Sequence, residues 1–373
     1  MWRSTSAPWL ESKKPPVPEF RQDPLTNRIV IVAPNRAVRP NAFAATNRGP
    51  RASAASAAVR ACPFCSDQME TPAPIATYGQ EPGLPWRVCV VPNLFPALGD
   101  VPPEFGQILG QERAAAMRAA ATSAAEVRFP HWFHPPWAAG GVHEVIIESP
   151  THQRSLAELT PSQAAWVFTA YRDRTQALSQ RTDVTFALPF KNYGLAAGAS
   201  LEHIHSQIVG MPMLPDFARQ RIEAAASYFR NSEACLFCRL LSDELAVQQR
   251  IVWQSDDFVM LAPFASRFPY ELLILPRRHE ARFERATDRQ LVELSQLVQR
   301  LAAIFETDCQ IEAYNFIVQT APFDRNCDDH YHWHLEIIPR IVKAAGFEWG
   351  SGVHINPVAP EQAAYRLCRL LAR

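Results

Sequence analysis

Five features recur in the same order in the two halves of this 373-residue chain. Each half first shows a Cys-x-x-Cys pair, "CPFC" (Cys62, Cys65) and "CLFC" (Cys235, Cys238). Each then has a buried-strand pattern running into a proline and a histidine, "VHEVIIESPTHQ" from residue 142 and "PYELLILPRRHE" from residue 269. An amphipathic helix is expected next. The first is capped by Thr160, has Pro161 at its first helical position and runs to about Gln180. The second is capped by Thr287 and places Leu291, Leu294, Val298 and Leu301 on one face. A β-rich run follows, "VTFALPF" or "AYNFIVQ", and each half closes on a histidine cluster, "HIHSQIV" or "HWHLEII". Chance does not readily repeat five ordered features, so one supersecondary unit is used twice. The match slips at one point: His152 follows its proline by two residues and His279 by three. Residues 211–234 join the halves and read as partly helical. The Ala/Pro/Arg-rich run 39–61 reads as a long mobile loop.

The repeat decides what the cysteines are for. There are eight. The N-terminus carries no apolar leader and no apolar run is long enough to span a bilayer, which points to the cytoplasm. In that compartment a thiolate metal site is favoured over a disulfide framework. One Cys-x-x-Cys pair alone also fits redox chemistry or buried free thiols. Two pairs, each with two histidines in the same relative order, fit zinc, which takes four N/S ligands in a closed structural site. The expected sets are Cys62, Cys65, His152 and His203, and Cys235, Cys238, His279 and His332, the second holding zinc, iron or another metal. Taken singly, His152 and His279 would read as capping histidines at helix entrances. His330 competes with His332 for the second metal. His131, His134, His143 and His354 have no such support and read as ordinary residues. The formal net charge is zero, which argues against a generic nucleic-acid surface. It leaves nucleotides and sugar phosphates open, because a local arginine cluster needs no global excess.

Residues two apart share one face of a strand. If residues 203–207 are extended, His203, His205 and Gln207 point the same way, His203 to the metal and the other two towards a cleft. A metal-bound histidine is not also a free nucleophile, so the two histidines have separate jobs.

Four longer stretches carry a family likeness: "RQDPLTNRIVIVAPNRAVRP" (21–40), "VVPNLFPAL" (90–98), "FKNYGLAAGASLEHIHSQ" (190–207) and "AAGFEWGSGVHINPVAPEQAAYRL" (344–367). Over nearly its whole length the chain resembles the galactose-1-phosphate uridylyltransferase family of the histidine-triad superfamily. The resemblance implies an α+β fold of two histidine-triad-like domains in tandem, 1–210 and 211–373, with antiparallel sheets, flanking helices and a pseudo-two-fold repeat. It also implies a homodimer. It implies His205 as the nucleophile that attacks the α-phosphorus of a nucleotide sugar, with Gln207 on the phosphoryl oxygens. Asn192, Gly198 and Ser200 then line the phosphates, Arg36 and Arg39 lie near the nucleotide, Asn93 lies in the base-contacting loop and Lys343 meets a sugar phosphate. A neutral imidazole is a good nucleophile, and preorganised donors stabilise charge on the equatorial phosphoryl oxygens.

The second cluster departs from the first. It has no glycine or serine turn before it, and Glu336 stands where Gln207 stands, so its charge would repel a phosphate. The C-terminal half is therefore expected to hold a metal and help build the acceptor side without doing chemistry. The activity implied is transfer between UDP-glucose and galactose 1-phosphate, with a covalent uridylyl-histidine and ping-pong kinetics. Ala199 replaces the cysteine common in that motif, and the "GAS…HSQ" form is similar to nucleotide-sugar phosphorylases that act on ADP-glucose or UDP-sugars. A zinc-stabilised nucleotide-binding protein without turnover is the contrasting reading, opposed by the intact Ser200, His205 and Gln207.

Overall fold

The computed structural model describes residues 18–34, 62–65, 72–80, 83, 86–99 and 139–373. Arg36, Arg39 and the expected loop at 39–61 lie outside the described residues. The strands are β1 (Glu19–Gln22), β2 (Ile29–Val32), β3 (Ala76–Tyr78), β4 (Val88–Pro92), β5 (Val142–Ile147), β6 (Phe186–Tyr193) and β7 (His205–Met211). They continue with β8 (Ile251–Gln254), β9 (Phe258–Leu261), β10 (Leu272–Pro276), β11 (Tyr314–Gln319), β12 (His334–Pro339) and β13 (His354–Asn356).

Ten strands form one sheet in the order β3-β4-β5-β7-β6-β11-β12-β10-β9-β8. Its neighbours pair antiparallel throughout. The order is the same read from either edge: β3 to β7 on one side correspond in turn to β8 to β12 on the other. The repeat in the sequence is thus a pseudo-two-fold lying between β6 and β11, where Asn192 pairs with Asn315. The fold is α+β, as the motifs implied.

The helices are α1 (Pro161–Ser179), α2 (Asp216–Ser232), α3 (Leu236–Val247), α4 (Asp288–Thr307), a short Gly346–Ser351 turn of helix, and α5 (Pro360–Leu371). The start signals work as read. Thr160 Oγ1 accepts the Gln163 N–H with Pro161 in the first turn, and Thr287 with Gln290 makes a reciprocal capping box. Val167, Phe168 and Tyr171 of α1 and Leu291, Leu294, Val298 and Leu301 of α4 pack onto one face of the sheet, against Val90, Ile146, Ile208, Ile274, Phe316, Leu335 and Ile337. This core runs continuously under both halves. Burying each such aliphatic side chain stabilises the fold by roughly 1.5–3 kcal/mol relative to exposure.

The opposite face differs between halves. In the C-terminal half it is covered by α2 and α3 through Ile222, Ala225, Phe237 and Leu241. In the N-terminal half the described cover is smaller: Phe64 and Trp86 against Cys89, Val91, Val145 and Ile147. The two sets of sheet strands, β3–β7 and β8–β12, are separated in sequence by residues 212–250, but the first strands cross between the halves. β2 pairs with β13 of the C-terminal half, and the Arg21 guanidinium donates to both Glu361 carboxylate oxygens at 2.9 and 3.2 Å. Among the described residues no helix is long and apolar enough to cross a membrane.

Candidate active site and metal centres

Each Cys-x-x-Cys knuckle meets two histidines from its own half. The ligand atoms of Cys62, Cys65, His152 and His203 lie within 4.8 Å of one another, as do those of Cys235, Cys238, His279 and His332. In the first set, His203 Nδ1 lies 3.3 Å from Cys62 Sγ and 3.6 Å from Cys65 Sγ, and His152 Nδ1 lies 3.8 Å from Cys65 Sγ. In the second, Cys238 Sγ lies 3.3 Å from His279 Nδ1 and 3.6 Å from His332 Nδ1. A tetrahedral zinc with its usual Zn–S and Zn–N bonds has S···N edges of about 3.6 Å, so both shells fit such an ion.

The outer contacts support the same tautomer. Nε2 of His203 donates to the Ser149 carbonyl at 2.9 Å, that of His332 to Pro276 at 2.9 Å and that of His279 to Asp328 at 2.6 Å. Nδ1 is left to face the metal in each case. His152 differs, because its Nε2 is buried without a partner. His330 does not join the second cluster: its carbonyl, and not its ring, accepts from Cys235 Sγ at 3.3 Å.

His203 lies just before β7 and not within it, since the strand begins at His205. The reason is local. The Ile204 N–H donates to Gln153, and the His203 carbonyl accepts His205 Nδ1–H at 2.7 Å. The two rings still serve one neighbourhood. Phe64, between the knuckle cysteines, packs edge-on to both, with centroids 5.9 Å from His203 and 5.3 Å from His205.

His205 is buried, and burial holds its imidazole below the ordinary histidine value, with the Lys191 ammonium adding to the effect. Its proton sits on Nδ1, so Nε2 carries the lone pair. Beneath it lies a pair that the sequence reading missed. Lys191 donates to Glu148 Oε2 at 2.7 Å and to the His205 carbonyl at 2.9 Å, and Tyr171 OH donates to Glu148 Oε1 at 3.2 Å. Lys191 and Glu148 are both buried, so each charge depends on the other.

Gln207 lies two residues along the same strand face, and its Oε1 is 2.7 Å from His143 Nε2. Asn93 is half-buried nearby; its Nδ2 lies 3.1 Å from that same His143 nitrogen. Asn192 Oδ1 accepts from Asn315 Nδ2 at 2.8 Å, and Asn315 also holds the Ala197 carbonyl at 2.9 Å. That contact anchors the 3-10 turn Leu195–Ala197, which ends on Gly198 in the left-handed region (φ 93°). Glycine takes this conformation without penalty, leaving the backbone before Ser200 open. Ser200 and Lys343 are exposed.

The second half repeats the scaffold and seals it. His334 Nδ1 donates to the His332 carbonyl at 3.0 Å and Phe237 packs 5.2 Å from its ring, as Phe64 does on His205. Yet His334 is fully buried. Glu336 beside it pairs with Arg221 from α2 and with Arg267 at 3.3 Å. Burial would raise the Glu336 carboxyl, but Arg221, the neighbouring His334 and Arg267 outweigh it and hold it well below the usual carboxylate range.

Comparison with known proteins identifies the family. A family model described as "Galactose-1-phosphate uridyl transferase, N-terminal domain" matches residues 10–215, and a domain of unknown function matches 138–373. The chain belongs to the galactose-1-phosphate uridyl transferase family. The ADP-glucose phosphorylase of Arabidopsis thaliana is 31% identical over 352 residues, 93% of this chain and 91% of that one. The galactose-1-phosphate uridylyltransferase of Thermotoga maritima is 31% identical over 61% of this chain and 73% of its own length. Among solved structures, the Arabidopsis ADP-glucose phosphorylase with bound ADP-glucose aligns with a TM-score of 0.74 at 28% identity, covering 95% of this chain and 99% of that one. A uridylyltransferase aligns at 0.67 and 25%, over 95% and 98%. Members of this family transfer nucleotidyl groups, and the sequence match to the phosphorylase spans more of this chain than that to the Thermotoga uridylyltransferase.

Proposed function

We propose that the protein is a nucleotide-sugar phosphorylase acting on ADP-glucose, with His205 as its nucleophile. The observation that carries this reading is the fixed tautomer of His205. Nδ1–H is held by the His203 carbonyl, so the Nε2 lone pair is available, two residues before Gln207 in the same strand. In the first step Nε2 bonds to the α-phosphorus and the bond from that phosphorus to the bridging oxygen breaks. Glucose 1-phosphate leaves with the electron pair; as a phosphate ester it is stable as an anion near pH 7 and needs no proton. The imidazolium that forms keeps its Nδ1–H on the carbonyl. In the second step an oxygen of inorganic phosphate attacks the same phosphorus, giving ADP and restoring His205. Gln207 and the backbone around Gly198 and Ser200 supply donors to the equatorial oxygens. Asn192, Asn93, Arg36, Arg39 and Lys343 are assigned to substrate binding.

Zinc in the two clusters, the second with zinc or iron, would have four protein ligands and no open position, a structural arrangement. In the first cluster Cys62, Cys65, His152 and His203 would hold the ion and so fix the knuckle that carries Phe64 against the nucleophile. The similarity of the chain over 93% of its length to an ADP-glucose phosphorylase supports adenine as the base and phosphate as the acceptor. The uridylyltransferase relatives support the second reading, UDP-glucose as donor and galactose 1-phosphate as acceptor. A cytoplasmic homodimer is proposed with either.

Incubating the protein with α-phosphate-labelled ADP-glucose and UDP-glucose separately, without acceptor, tests the reading. Acid-labile label on His205 from ADP-glucose, discharged as ADP by phosphate, is expected. Label from UDP-glucose alone, discharged only by a hexose 1-phosphate, selects the second reading. Label that persists in His205→Ala refutes the nucleophile.

A further inference from the structure

We propose that His143 is a positioning residue for Gln207, fixing which end of the amide faces the phosphoryl group; this rests on the reading of His205 as nucleophile. A glutamine amide offers a donor at one end and an acceptor at the other, and only the donor end stabilises a phosphoryl oxygen. Something must choose between them. The Ala97 backbone N–H donates to His143 Nδ1 at 3.0 Å. That contact makes Nδ1 an acceptor, so the neutral ring carries its proton on Nε2. Nε2–H then donates to Gln207 Oε1 at 2.7 Å, the shorter of its two contacts; Asn93 Nδ2, 3.1 Å away, is itself a donor and cannot satisfy that N–H. With its oxygen occupied, Gln207 turns its NH₂ away from His143 and towards the space beside His205.

The sheet sets up this contact. His143 lies opposite Val209 and Val145 opposite Gln207, so His143 and Gln207 are diagonal neighbours on one face. The loop after β4 holds the ring from the other side: Asn93 Oδ1 accepts the Phe95 N–H at 2.9 Å, two residues before Ala97. The C-terminal half supplies an internal comparison. Leu273 lies opposite Glu336 as Val145 lies opposite Gln207, which makes Glu271 the counterpart of His143. Glu271 and Glu336 both bind Arg267, at 2.6 and 3.3 Å. The same two positions hold a neutral donor–acceptor pair in one half and two carboxylates on a guanidinium in the other. Only the first arrangement leaves a donor free for an anion.

Single-turnover transfer of label from ADP-glucose and UDP-glucose to the protein is measured for wild type, His143→Ala, His143→Gln, Gln207→Ala and the double variant His143→Ala/Gln207→Ala. His143→Ala is expected to lower the maximal rate about a hundredfold, the loss typical of a misplaced catalytic contact, with the half-saturating substrate concentration unchanged. His143→Gln, whose amide nitrogen reaches the Nε2 position, recovers most of the rate. The His143→Ala loss disappears in the Gln207→Ala background. An additive loss, a normal rate in His143→Ala, or a defect confined to half-saturation overturns the proposal. The side-chain amide resonance of Gln207 gives a readout without turnover: it should shift and broaden in His143→Ala, and an unchanged resonance overturns the proposal. Wild-type protein that takes no label from either nucleotide sugar would instead refute His205 as nucleophile, with the amide resonance still deciding whether His143 holds Gln207.

Discussion

Gln207 and Glu336 occupy the same register position on the two sides of the pseudo-two-fold: Gln207 lies opposite Phe190 in β6, and Glu336 opposite Ile317 in β11. Moving the second residue into the first place should copy the inactive half into the active one. Gln207→Glu replaces a donor with an anion that repels phosphate. Label transfer to His205 is expected to fall by about 10²–10³-fold, the loss typical of removing one oxyanion donor. Transfer at the wild-type rate by a folded Gln207→Glu protein, checked by circular dichroism, would remove Gln207 from the mechanism.

Glu336 itself should matter to stability. It is buried between Arg221 and Arg267, so Glu336→Ala leaves buried guanidinium charge uncompensated. Breaking a buried pair in this way costs about 3–5 kcal/mol, measurable by urea denaturation. The sign of the pH dependence follows from its lowered pKa. The unfolded carboxyl binds a proton near pH 4.3, whereas the folded one stays ionised to lower pH. Its contribution is therefore present above about pH 4.3 and is lost as pH falls below it. Wild-type stability should drop more steeply on that acid side than the stability of Glu336→Gln. Equal slopes would mean the pair does not govern this limb.

Much of this organisation was legible in the sequence because it rests on local chemistry. Thr160-Pro161 and Thr287 mark helix starts through caps made within one turn, and the paired Cys-x-x-Cys and His-x-His motifs carry their own ligand sets. What was not legible depends on pairing between distant strands. His143 lies on β5, and nothing near it in sequence says that β7 will place Gln207 beside it. Lys191 reads as a surface lysine until Glu148 and Tyr171 are seen around it. The lodging of β2 against β13 also escaped a linear reading, because that pairing joins residues more than 300 apart.

The two metal centres should be separable in their effects. Elemental analysis is expected to find about two metal ions per chain, from two four-ligand sets. Cys238→Ser should lose one and still label His205, since the second knuckle packs Phe237 against the sealed His334. Cys62→Ser should lose the other and label slowly, because Phe64 packs on both His203 and His205. Equal labelling by the two variants would break the proposed link between the first knuckle and the nucleophile.

The Lys191–Glu148 pair should behave as a unit. Lys191 sits under β7 with its ammonium on Glu148 and on the His205 carbonyl, and burial pushes its pKa down while Glu148 opposes the shift. Lys191→Met removes one charge and leaves the Glu148 carboxylate buried with the Tyr171 hydroxyl, which should cost about 3–5 kcal/mol in urea denaturation. Lys191→Met/Glu148→Leu removes both charges and should recover most of that loss, as apolar replacements of buried ion pairs generally do. Label transfer should stay reduced in the double variant, because the His205 carbonyl has still lost its donor and the strand its anchor. Full recovery of both stability and transfer would show that the pair serves packing alone; recovery of neither would mean the apolar side chains do not fit beneath His205.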